Sequence, residues 1–253
     1  MPFIKVSDIT MYYEIHGEGE PLLLLPGWGT EISTVSGLIA DLARNYQVIA
    51  IDNRGTGRSS RPDIPWTIEQ MADDTVGILD ATGFRNAHIL AISMSTMIAL
   101  TIAAKYPERV NGMVFHVGFH RIPFLTKIIM TILPHLPGMK KKMEEGMNSM
   151  ILGQKYPPTR ESFRLQGVAV SAFDGREYLG RITAPTLIIN CTRDPFVTVK
   201  ISKELAAGIT GARLILADGD HLIARLHPEL LVTPVLEFLA EVDAKPERTK
   251  EKS

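Results

Sequence analysis

Short runs of uninterrupted apolar residues, separated by stretches with helical spacing, constrain this chain more than any other feature. "PLLLL" at 21–25, "QVIAI" at 47–51, "AHILAI" at 87–92, "VNGMVFHVG" at 110–118, "TLIIN" at 186–190 and "RLILA" at 213–217 read as strands. A strand apolar at every position is buried on both faces, which is the condition of a parallel sheet covered on each side by helices. The intervening segments supply those helices. "EISTVSGLIADLARNY", "TIEQMADDTVGILDAT", "TMIALTIAAKYP", "VKISKELAAGI" and "PELLVTPVLEFLA" all carry apolar residues at helical spacing. Thr67 and Gln70 have the spacing of a capping box at the start of one of them. The expected fold is therefore α/β, a mostly parallel central sheet with helices on both faces.

The rhythm has an overture and an interruption. "FIKV" and "MYYEIH" read as strands on either side of a polar "SDIT", and "GEGE" as the turn that follows. From about His120 to about Arg176 the alternation stops in favour of a helix-like, Met-rich segment, "IPFLTKIIMTILPHLPGMKKKMEEGMNSMILG". This gives a core in two parts, 1–119 and 177–241, a helical insertion at 120–176, and a charged, disordered tail at 242–253. The insertion reads as a small helical lid over an apolar mouth. The other reading is a lipid-facing surface built from Phe124, Leu125, Ile128, Ile129, Ile132 and Leu133, with "KKK" at 140–142.

Composition narrows the function classes. With 27 basic and 28 acidic side chains the chain has no basic field to offer a nucleic acid. One cysteine, Cys191, excludes an internal disulfide framework and a cysteine-rich zinc site. The first residues lack the pattern of a signal peptide, and no apolar run is long enough to span a bilayer. A cytoplasmic protein with a small-molecule partner, and with neither nucleic acid nor membrane contact, is expected; oligomeric state is not indicated.

In a sheet of this kind ligands bind beyond the carboxyl ends of the strands. There the chain places Pro26-Gly-Trp28-Gly-Thr30, Asp52-Asn-Arg-Gly, Ser93, Cys191-Thr-Arg-Asp194 and Asp218-Gly-Asp-His221. Each has a bland reading taken alone. Ser93 is a reasonable helix N-cap, Asp194 a turn former, and His221 one of seven histidines on a surface loop.

The joint order of "LLLLPGWG", "IDNRGTGRS", "LAISMSTMIAL…YPERV", "APTLIINCTRDP" and "DGDH" resembles the α/β-hydrolase superfamily over nearly the whole chain outside the insertion. Within it the chain is similar to small serine esterases and 3-oxoadipate enol-lactonases. The resemblance implies Ser93 as nucleophile, His221 as base and Asp194 as the carboxylate that orients it, with Asp218 and Asp220 as rivals for that acid. It implies an oxyanion hole from the backbone N–H groups of Met94 and Trp28, a cap formed by the insertion, and no metal or cofactor. The "DNRGTGRSS" loop is structural in this family, so Asp52 and Arg54 are not expected to be catalytic. Cys191 reads as a small buried hydrophobe, and His116 and His120, at or just past the end of a strand, as core or cap packing, with pocket lining as the alternative.

The chain departs from the family pattern at the elbow, where G-x-S-x-G is usual. Here Ala91 and Ser95 replace both glycines, Pro26 stands where histidine is frequent, and Asp220 precedes His221 where glycine is common. The expected activity is cleavage of a small or medium apolar carboxylic ester or lactone through an acyl-enzyme. Two alternatives share the fold: a weakly catalytic or non-catalytic small-molecule-binding protein, and a cofactor-free lyase or perhydrolase using the same triad.

Overall fold

A computed structural model describes residues 2–123, 127, 141, 145, 148, 151 and 153–244. Among these residues eight strands form one sheet: β1 (Phe3–Val6), β2 (Ile9–His16), β3 (Pro21–Leu25), β4 (Gln47–Ile51), β5 (Ala87–Ile92), β6 (Val110–His116), β7 (Thr186–Cys191) and β8 (Arg213–Ala217). Their order across the sheet is β1-β2-β4-β3-β5-β6-β7-β8. The first two are antiparallel additions; every pairing from β4 to β8 is parallel. The polar "SDIT" divides differently from the sequence expectation. Ile9 and Thr10 join β2, and only Ser7 and Asp8 make the turn, with Ser7 at φ +53°.

The described helices are α1 (Ser36–Leu42), α2 (Ile68–Thr82), α3 (Ser95–Lys105), α4 (Arg160–Ala172), α5 (Arg176–Leu179), α6 (Val199–Gly208), α7 (Ile223–Leu226) and α8 (Glu229–Asp243). The central strand β5 is buried along its whole length, and so is β7. Both follow from helix layers on each side of the sheet: α2, α3 and α5 pack together, and so do α1, α7 and α8. The capping box of α2 is present, with Thr67 Oγ1 accepting from the Gln70 N–H (3.2 Å) and Gln70 Oε1 from the Thr67 N–H (2.9 Å).

The insertion leaves and rejoins the core at one place. Arg121 bridges Asp174 in antiparallel fashion, and the Gly175 N–H donates to the His120 carbonyl at 2.8 Å. Phe124, Leu125, Ile128, Ile129, Ile132 and Leu133 lie outside the described residues, so the lipid-facing reading has no structural counterpart to compare. Residues 242 and 243, expected in the tail, belong to α8, which runs through Asp243, whose carboxylate has buried partners; residues 245–253 lie outside the described residues. Among the described residues no helix is long and apolar enough to cross a membrane.

Candidate active site

Ser93 sits on the turn between β5 and α3, with φ at +54°. Left-handed backbone in a residue with a Cβ costs on the order of 1–3 kcal/mol, so neighbours must hold it. Its N–H donates to the His116 carbonyl at the end of β6 (2.9 Å), and its carbonyl accepts from the Thr96 N–H (3.0 Å). The turn needs no glycine because Ser93 itself carries the positive φ. Ala91 lies within β5, and Ser95 is the first residue of α3. What those two positions require is small size. Ala91 is paired between Leu25 and Phe115, and both Ala91 and Ser95 are fully buried.

The loops after β7 and β8 deliver the carboxylate and the imidazole. They are joined by backbone bonds, Thr192 N–H to the Ala217 carbonyl and Arg193 N–H to the Gly219 carbonyl, both 3.0 Å. Asp194 Oδ1 accepts from the N–H groups of Phe196 (2.7 Å) and Val197 (2.9 Å), leaving Oδ2 for His221 Nδ1 at 2.6 Å. The opposite ring nitrogen, His221 Nε2, lies 3.0 Å from Ser93 Oγ. Burial pushes the Asp194 carboxyl upward, but the bond to His221, that ring's charge and the two N–H donors outweigh it and hold the group below its ordinary value. An ionised carboxylate only accepts, so the imidazole proton belongs on Nδ1, and Nε2 is free to accept from the serine hydroxyl. Phe196 stands edge-on to the His221 ring, 5.2 Å between centroids, and is 64% exposed.

The rival carboxylates are engaged elsewhere. Asp218 pairs with Arg193 at the surface, and Asp220 Oδ1 accepts from the Leu222 N–H at 2.9 Å. Asp52 accepts from the N–H groups of Ile32 and Arg58, both 2.9 Å, and Arg54 is bonded to Asp74 and Asp8. Both belong to the scaffold. Cys191 is buried, and its thiol is pushed up to about 11, first by burial.

The loop after β3 lies against the elbow. A Cβ on Gly27 would come within 3.3 Å of Ser93 Cβ. Farther along, Gly29 adopts φ +66°, and a Cβ there would fall 2.5 Å from the Phe163 ring. Residues beyond the insertion's midpoint grip this loop. Gln166, fully buried on α4, accepts from the Gly29 N–H (2.9 Å) and donates to the Arg54 carbonyl (2.8 Å). Gln154 Nε2 donates to the Gly29 carbonyl, and Trp28 Nε1 to the Phe163 carbonyl, each at 2.9 Å. The Trp28 and Phe163 rings stack at 4.7 Å. Among the described residues no hydrogen bond engages the backbone N–H of Trp28 or of Met94. Gln166 was invisible to sequence reasoning, since a glutamine on an amphipathic helix gives no sign of a partner 137 positions away.

His116 is completely buried at the end of β6, where β5 and β7 flank it, and neither ring nitrogen has a partner among the described residues. Burial first, and then the charge of His221, lower it to about 3, so it is neutral at physiological pH. Among the described residues no cluster of His, Cys, Asp or Glu could hold a metal ion.

A hydroxyl donating to an imidazole whose other nitrogen donates to a carboxylate is set up to lose its proton as it attacks an electrophilic carbon. The model of the alpha/beta hydrolase fold matches residues 20–144. Over 96% of its length the chain is 31% identical to a protein of Azorhizobium caulinodans named "Putative carbamate hydrolase RutD", covering all of that relative. It is 26% identical, over 87% of itself and 89% of the relative, to 3-oxoadipate enol-lactonase 2 of Acinetobacter baylyi. The structure of the enol-lactonase from Burkholderia xenovorans LB400 superposes with a TM-score of 0.81 at 25% identity, over 94% of this chain and 100% of that one. Sheet order, elbow and relatives agree: this chain belongs to the α/β-hydrolase family of enzymes.

Proposed function

We propose that the chain is a serine hydrolase of small or medium, weakly charged carboxylic esters or lactones, acting through an acyl-enzyme. The observation that carries this reading is the unbroken line from Ser93 Oγ to His221 Nε2 (3.0 Å) and from His221 Nδ1 to Asp194 Oδ2 (2.6 Å). Ser93 attacks the carbonyl carbon while His221 takes its proton, and the Trp28 and Met94 N–H groups receive the oxyanion. His221 then protonates the leaving oxygen. Water, deprotonated by the same ring, releases the acid. We read the insertion at 120–176 as the family's cap, and the apolar residues in its sequence suit an acyl or alcohol part of little charge.

The relatives' names favour a second substrate class on the same site. A carbamate presents the same electrophilic carbonyl with nitrogen in place of the acyl carbon, and the relative from A. caulinodans bears that name. Matched p-nitrophenyl esters and carbamates separate the two by their kcat/KM.

The chemistry itself is tested by intact mass after exposure to a fluorophosphonate. One adduct on the wild type, none on Ser93→Ala and a strongly slowed adduct on His221→Ala are expected. A folded wild type that takes no adduct and cleaves no ester would overturn the hydrolase mechanism in favour of a binding protein on this fold.

A further inference from the structure

Two of the departures from the family pattern, Ser95 and Pro26, touch each other. Ser95 Oγ donates a hydrogen bond to the Pro26 carbonyl. Asn53 Nδ2 donates to both partners, 3.1 Å to the Pro26 carbonyl and 3.1 Å to Ser95 Oγ. The three groups close a triangle that is buried throughout, with Ser95 at 0% and Asn53 at 1% exposure. Asn53 is itself preset, because its backbone carbonyl accepts from both the N–H (2.9 Å) and the hydroxyl (2.8 Å) of Thr56. A buried carbonyl left without donors is costly, so the position of the Pro26–Gly27 peptide is fixed by these two side chains.

That peptide is one residue from the Trp28 N–H, and Gly27 already lies in contact range of Ser93. The proline cannot donate from its own nitrogen, so its carbonyl is the only backbone handle it offers. A glycine in place of Ser95 would leave that handle to Asn53 alone. The serine hydroxyl ties the nucleophile's own helix to the loop that carries the second oxyanion donor.

We infer that Ser95 and Asn53 are positioning residues that hold the Trp28 N–H on the developing oxyanion, and that the replacement of the elbow glycine by serine serves this purpose. The inference rests on the serine-hydrolase reading of the site. Donors gain their effect from being fixed before charge develops, and misplacement by a fraction of an ångström is felt in the transition state rather than in substrate binding.

The test compares wild type, Ser95→Ala, Ser95→Gly and Asn53→Ala on p-nitrophenyl butyrate, with phenylboronic acid as a tetrahedral mimic. In Ser95→Ala and Ser95→Gly kcat should fall by roughly 10- to 100-fold, with KM changed by no more than about twofold. Phenylboronic acid should bind more weakly by a similar factor, while the fluorophosphonate still labels Ser93. Ser95→Gly separates the hydroxyl from the size of the side chain. Asn53→Ala, which keeps the Ser95–Pro26 bond, should show the same kcat-only pattern to a smaller degree, and it carries the test if the Ser95 variants do not fold. An active wild type beside equally active variants, or a loss shared equally between kcat and ground-state binding, overturns this inference alone. A wild type inert to both ester and fluorophosphonate overturns the hydrolase reading and this inference with it.

Discussion

Asp194, Asp218 and Asp220 all follow strands at the same edge of the sheet, yet only one has the surroundings of a triad acid. Asp194 combines burial with two N–H donors on one oxygen and the imidazole on the other. The side chain of Asp218 is 77% exposed and faces Arg193. Replacing Asp194 by Asn would keep the shape but remove the acceptor that fixes the Nδ1 proton, so kcat should fall on the order of 10⁴-fold with ester binding nearly intact. Asp218→Asn should leave kcat within about twofold, as expected of a surface pair. Equal losses in the two variants, read by steady-state hydrolysis of one chromogenic ester, would refute this assignment. Ser93, Asp194 and His221 stand in the sequence among several residues on the loops that follow strands, where the topology collects side chains, and it is the resemblance to the α/β-hydrolase pattern that singles them out. The bonds of Ser95 and Gln166 could not be read there, because their partners are a proline carbonyl and a glycine N–H. Backbone groups leave no trace in the pattern of side chains.

At the scale of elements, the strands and helices of the core were legible because burial on both faces of a strand and one face of a helix imposes distinct periods. Ends of elements obey more distant constraints, and α8 illustrates this. "EVDAKPERTKEKS" is charged enough to look solvated from its start. The helix instead carries on to Asp243, whose two carboxylate oxygens take Tyr46 Oη (2.8 Å) and His88 Nε2 (2.7 Å). His88 is completely buried on β5, 155 residues earlier in the chain. A single acidic residue at the end of the last described helix therefore pins that helix to the central strand and to the approach of β4. Asp243→Ala strands two buried donors and should cost about 2–4 kcal/mol, measured by urea unfolding. Asp243→Asn keeps one acceptor and should lose roughly half as much. If Asp243→Ala unfolds at the wild-type midpoint, the carboxylate is not an anchor.

The molecule as a whole carries an acid sensitivity that follows from packing a histidine behind its active site. His116 is neutral in the folded chain, with a pKa lowered to about 3 by burial and then by the charge of His221, against 6.5 when freely hydrated. Between those values the unfolded chain binds a proton there and the folded chain does not. Stability must therefore rise with pH across this window and fall on acidification. Protonation of the unfolded form alone amounts to about 2 kcal/mol lost by pH 5, from the 1.36 kcal/mol that each pKa unit represents. His120, also lowered first by burial, pulls in the same direction. Asp194 acts lower: its depressed carboxyl gives stability that is present above the ordinary carboxylate range and is lost as pH falls through its folded value. His116→Leu removes the titrating ring and its two unpartnered nitrogens at comparable volume. Whatever it does to stability at pH 7, it should shrink the difference between unfolding free energies at pH 7 and pH 5 by about 2 kcal/mol. Urea titrations of wild type and variant at both pH values decide the matter. Parallel losses in the two proteins would mean that the acid limb is set by other groups and that His116 finds a proton or a partner in the folded state. A reduced loss would place that part of the acid limb in a single buried side chain.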